Sequence, residues 1–206
     1  MDGYVPFNLA EFMLSHFSRV DFGGDLFSQW PAGIRFEIGF KQVSRAAQLF
    51  RAIFRNSENC ILVSQDWPCA NHLAQRLAPL FETSGLFKIE LSQMPFQSID
   101  VTPFDETPYR LTSARFSPSA INEVQLFQAI ANREQTGHPK ISSGVYVIDP
   151  DAKIVMNMYD DRGLDIIAAE LETLRPLFEQ FNGWLLDNQR TRIELRFRAS
   201  RKESMS

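Results

Sequence analysis

The run Asp149-Pro150-Asp151-Ala152-Lys153 separates two short apolar stretches, residues 145–148 and 154–159. Pro and Asp set turn geometry here, and five residues are too few for a crossover. The two stretches must therefore pair as an antiparallel hairpin, which commits at least part of the chain to an antiparallel sheet.

Other segments follow the same logic. Residues 34–38 alternate, with Ile34, Phe36 and Ile38 on one face and Arg35 and Glu37 on the other. Residues 60–64, 87–91 and 109–116 also read as strands. Helical spacing marks residues 8–17 and, most clearly, 43–55, where Val43, Ala46, Ala47, Phe50, Ile53 and Phe54 form one stripe. A further helix covers about 70–81, with Pro79 kinking it. Ser119 stands at the start of another that runs to about residue 133. The longest stripe, residues 164–181, predicts a helix broken near Arg175 by Pro176. Residues 95–108, with three prolines, read as the longest irregular stretch. Residues 190–198 alternate strictly, which argues for a strand with one basic face, although a helix also fits. Regular βαβ alternation is absent. The expected fold is α+β: a single domain over residues 1–198, with a largely antiparallel sheet of about five strands and packed helices, then a frayed tail over 199–206.

With 206 residues, 44% hydrophobic and 22% charged, the chain can bury a core, which excludes wholesale disorder. No run approaches the ~18 apolar residues of a membrane span, and the first residues lack signal-peptide character. Cys60 and Cys69 form neither a disulfide framework nor a zinc spacing. The expectation is a cytoplasmic protein with no membrane partner. The net charge of −4 is unevenly spread: residues 141–189 carry three Lys or Arg against nine Asp or Glu, and residues 190–206 carry six against two. This asymmetry points to a specific electrostatic partner rather than to nucleic acid. Arg45, Arg51 and Arg55 read as a solvated helix face without the interleaved aromatics of a nucleic-acid motif.

The densest polar run is Tyr159-Asp160-Asp161-Arg162-Gly163-Leu164-Asp165, read as joining a strand to a helix. Asp160 or Asp161 can cap that helix, with Asp165 in its first turn. Alternatively, the three carboxylates can bind a divalent cation or act as an acid/base pair. Arg35 and Glu37 suit cross-strand ion pairing, including a buried Arg–Glu pair. Nucleophile elbows and phosphate loops are missing, and His16, His72 and His138 share no ligand spacing. Cys60 reads as an inert core thiol, and Cys69 opens a helix with no base in view. No cofactor, metal or catalytic set is expected.

Arg35-Phe36-Glu37-Ile38-Gly39, the Tyr159–Asp165 run with Ile166-Ile167-Ala168, and Asn182-Gly183-Trp184-Leu185-Leu186-Asp187 together resemble an uncharacterised bacterial family, a domain of unknown function associated with Rhs-repeat proteins. The resemblance spans about residues 30–198. Relatives follow Trp-Leu-Leu-Asp with Tyr-Asp-Arg, where this chain has Asn188-Gln189-Arg190. Rhs proteins carry variable C-terminal toxins whose small neighbours are commonly immunity proteins. The resemblance therefore implies a non-enzymatic immunity protein in interbacterial competition. It would occlude a cognate toxin domain one-to-one, with no nucleic acid partner. Candidate binding residues are Asp160, Asp161, Arg162, Asp165, Glu172, Glu179 and Asp187, and Arg35, Glu37, Gly163 and Trp184 are candidate framework residues. The alternative is a metal-dependent hydrolase using Asp160, Asp161 and Asp165.

Overall fold

A computed structural model describes residues 7–18, 20–39, 43–67, 79–82, 85–89, 91, 94–102 and 107–203. The elements are α1 (Leu9–Phe17), α2 (Leu26–Gln29), β1 (Gly33–Glu37), α3 (Val43–Phe54), β2 (Cys60–Asp66), α4 (Pro79–Glu82), β3 (Gln97–Val101), β4 (Tyr109–Phe116), α5 (Glu123–Ala131), β5 (Gly144–Asp149), β6 (Ile154–Met158), β7 (Gly163–Ala168), α6 (Arg175–Gln180) and α7 (Asp187–Glu203). Among the described residues, one seven-stranded sheet runs in the order β1-β7-β6-β5-β2-β4-β3, with every pair antiparallel. The α+β class holds, and the sheet has two more strands than the five expected.

The hairpin forms as its turn dictates, with Asp149 Oδ1 accepting from the Asp151 and Ala152 amides at 3.0 and 2.8 Å. One sheet face carries Ile34, Phe36, Leu62, Val147, Met156, Leu164 and Ile166, all buried beneath α3, α5, α6 and α7. The other face carries Ile61, Val63, Ile148, Val155 and Ile167, covered by α1 and the α2 entry. Asn8 caps α1 by accepting from the Glu11 amide at 3.1 Å, which aims Leu9, Phe12, Met13 and Phe17 at that face.

Several expectations change. Residues 95–108 contain β3, whose Asp100 pairs with Arg110 of β4. Residues 164–181 are not one helix. Gly163–Ala168 is buried along its whole length as β7, a 3-10 turn follows, and Pro176 sits in the first turn of α6, where its missing N–H costs nothing. Leu164, Ile167 and Ala168 fit a helical stripe only because both faces of β7 are buried. Residues 190–198 form a helix: Ile193 and Phe197, four apart, are buried, while Leu195 is 58% exposed. This helix continues to Glu203, into the tail expected to fray, of which residues 204–206 lie outside the described residues. Asn122 rather than Ser119 caps α5. Among the described residues of the expected 87–91 strand, Phe87 makes an isolated bridge to Ile121, and residue 90 lies outside them. Cys69, His72 and most of the 70–81 helix lie outside the described residues. Among the described residues, no helix is long and apolar enough to cross a membrane.

Candidate functional site

Strand register decides where the polar motif goes. The run 159–165 is the hairpin between β6 and β7, not a strand-to-helix junction. Asp160 is turned inward: Oδ1 accepts from the Arg162 amide at 2.8 Å, and Oδ2 accepts from Arg162 Nε at 2.7 Å. Asp161 accepts from Gln135 Nε2 at 3.0 Å. Gly163 has no room for a side chain, since a Cβ there would lie 1.8 Å from the Tyr159 hydroxyl.

Asp165 faces Arg35 directly across β7 and β1. Arg35 Nε and Nη2 donate to its two oxygens at 2.6 and 2.8 Å, a bidentate pair, and the Phe27 amide adds a third bond at 3.1 Å. Asp25, which caps α2, also accepts from Arg35 Nη2. The guanidinium is stacked by the rings of Phe27 and Tyr159, 5.1 and 5.4 Å from their centroids. The hydrogen-bonded Asp165 carboxylate raises the Arg35 pKa, so the arginine stays cationic. Burial pushes the Asp165 carboxyl above the usual carboxylate range, against the pull of Arg35. Burial also acts upward on Asp25, but the Ser28 hydrogen bonds and Arg35 leave its carboxyl below that range. Arg35 thus makes the expected cross-strand ion pair, with Asp165, whereas the buried Arg–Glu pair does not form: Glu37 is exposed, and its carbonyl accepts from Arg45 at 3.1 Å.

The carboxylates do not converge on a cation. Asp160 bonds Arg162, Asp165 bonds Arg35, and among the described residues no three His, Cys, Asp or Glu side chains are grouped to hold a metal ion. The acids after β7 behave differently. Arg175 bonds Glu172 Oε2 at 2.5 Å and feels the field of Glu179, and Asp187 meets Arg190 at 3.4 Å with its side chain 89% exposed. Glu170, Glu172, Glu179 and Asp187 all face solvent. Trp184 is half-buried, its ring tilted against Phe181 at 4.8 Å and lying under Arg45 at 5.4 Å. Arg192 and Arg196 of α7 lie over Phe27, so this part of the basic segment is docked on α2 and the β1 edge, while Arg190 stays with Asp187.

The same sheet face holds a feature the sequence reading missed. Arg35, Asp165, Asn157 and Tyr146 are successive partners across β1, β7, β6 and β5. Two residues beyond Val63, the β2 partner of Tyr146, stands Gln65. Next to them the residue 22–25 loop leaves open a cleft of about 400 Å³, whose walls include Arg133, Tyr159 and Trp67. Asn157 donates to the Val145 carbonyl at 2.8 Å, and Arg133 donates to the Tyr159 carbonyl at 3.1 Å. Burial pushes the Tyr159 hydroxyl up to about 12, so it is a neutral donor. An asparagine inside the apolar run Ile154-Val155-Met156-Asn157-Met158 was the available signal.

The described residues thus form one seven-stranded antiparallel sheet with a polar cleft on one face. The chain belongs to the family Domain of unknown function (DUF3885), which matches residues 9–189. It is also similar to "Uncharacterized protein YnaE" of Bacillus subtilis (strain 168), at 23% identity over 209 residues, covering 86% of this chain and 97% of the relative. No solved structure matches it.

Proposed function

We propose that this protein is an immunity protein of the Rhs-associated kind, a cytoplasmic, non-enzymatic binder that occludes a cognate toxin domain in a one-to-one complex without a cofactor. The observation that carries this reading is how the carboxylates of residues 141–189 are divided. Asp149, Asp160 and Asp165 are buried, while Glu170, Glu172, Glu179 and Asp187 are exposed along the segment from β7 to the start of α7. Exposed acids of this kind steer a basic partner and contribute mainly to association rate. An interface of ordinary size would bury about 1,600 Å² in total. Asp161 and Arg162, at the β6–β7 tip, can extend the contact; Asp160 and Asp165 support it from within.

The test is copurification with the toxin encoded beside the gene, in chelator, together with protection of cells. A stable complex is expected. Reversing Glu172, Glu179 and Asp187 to Lys should slow association at least about tenfold at low salt. Protection without any complex, or Asp160→Asn/Asp161→Asn abolishing protection with binding intact, would overturn occlusion and favour hydrolysis.

A further inference from the structure

The cleft on the β1–β2 half of the sheet is built for a ligand of its own, and we propose that it binds an uncharged polyhydroxylated molecule, a neutral mono- or disaccharide. This inference is independent of toxin binding.

Three polar atoms of the cleft are left unused. Gln65 is only 4% exposed, yet its Nε2 has no hydrogen-bond partner. Its Oε1 lies 3.1 Å from the Tyr146 hydroxyl, whose single proton is also directed at the Phe22 carbonyl. Whichever way the Gln65 amide is turned, one of its polar atoms stays unmet. Arg35 spends Nε and Nη2 on Asp165 and Asp25, leaving Nη1 without a hydrogen bond among the described residues. Asn157 uses its Nδ2 on Val145, and its Oδ1 accepts nothing from the described residues.

Charge narrows the ligand. Arg35 and Arg133 are matched by Asp25 and Asp165, so the cleft and its floor carry no formal excess for an anion. The unused groups include donors on β1 and β2 and an acceptor on β6 between them. With strands about 4.8 Å apart, the backbones bearing Arg35 and Gln65 are about 19 Å apart, and both side chains line the one cleft. Hydroxyl groups donate and accept at once, so a ring bearing several of them satisfies both kinds without fixed spacing. A peptide, with one donor and one acceptor per residue at set intervals, fits that arrangement less freely. Trp67, 45% exposed on the cleft wall and braced edge-on by Tyr109 at 5.3 Å, offers an apolar ring for a sugar's C–H face. A volume of about 400 Å³ falls in the range of small-ligand sites.

The test follows the Gln65 side-chain NH₂ resonances by NMR in the full chain. It uses neutral mono- and disaccharides (glucose, N-acetylglucosamine, maltose, trehalose, cellobiose), with glucose 6-phosphate and N-acetyl-trialanine amide for comparison. Saturable shifts with a neutral sugar are expected. Trp67→Ala, at an exposed position, should weaken that binding about tenfold. The full neutral set leaving Gln65 unmoved overturns the proposal, as does a response confined to the phosphate or to the peptide. Unchanged affinity in Trp67→Ala overturns the stacking geometry.

Discussion

The two faces of the sheet are built by the same seven strands and solve burial in opposite ways. Under α3, α5, α6 and α7, the face around Phe36, Leu62, Met156 and Ile166 is apolar and closed. On the other, α1 covers one end with Leu9, Phe12, Met13 and Phe17, and the polar row begins beside that cover. The first face is replaceable by any residues that fill the space. The second depends on particular partners, because a buried guanidinium is tolerated only while its carboxylate is present. Both faces bury an apolar cluster, but only the second adds a row of polar side chains that must find one another.

The largest effect should come from opening the closed face: Phe36→Ala is expected to cost about 4 kcal/mol in denaturant unfolding, from lost burial and a residual cavity. On the other face, Asp165→Asn removes the charge that neutralises Arg35, at about 3 kcal/mol. The double variant Arg35→Met/Asp165→Leu should regain most of that loss in the same measurement. Failure of this rescue would show that the polar row stabilises by more than mutual satisfaction, and would break the contrast between the faces. Gly163→Ala forces the Tyr159 ring off β7 and should cost about 2 kcal/mol, reduced in a Tyr159→Ser background. Asp160→Asn should cost only about 1 kcal/mol, since Arg162 is 79% exposed and the backbone bond to Oδ1 survives.

The smallest effect concerns the exposed acids. The Glu172 carboxyl is held at about 2 by hydrogen bonds from Arg175 and Ser200. Because the folded pKa is depressed, its contribution is full above the ordinary glutamate range and disappears as pH falls toward 2. Solvent screening limits it to a few tenths of a kcal/mol. The difference between wild type and Glu172→Gln in urea midpoints at pH 7 and pH 3 measures it.

What was legible in the sequence was local. The 149–153 turn, the α3 stripe and the alternation of 34–38 each depend on neighbours a few residues apart, and all three formed as read. Two misreadings come from misleading periodicity, each in its own way. Full burial of β7 erased its alternation, and chance alternation in α7 hid the one pair that mattered, Ile193 and Phe197. The cleft was illegible because Arg35, Gln65, Tyr146, Asn157 and Asp165 come from five strands scattered through the chain, and only the register aligns them. Family membership adds a match over residues 9–189 and no activity.

The bond between Arg35 and Asp165 closes a loop of 130 residues. During synthesis, β1 leaves the ribosome long before β7 exists to pair with it. Until then, its apolar face and its guanidinium have no native neighbour from that strand. Closing so long a loop is entropically slow and comes late in folding. β1 is therefore joined to the sheet only after β7 has been translated, and a nascent chain stopped before residue 163 holds every residue that lines the cleft but lacks the Asp165 that fixes Arg35 in it.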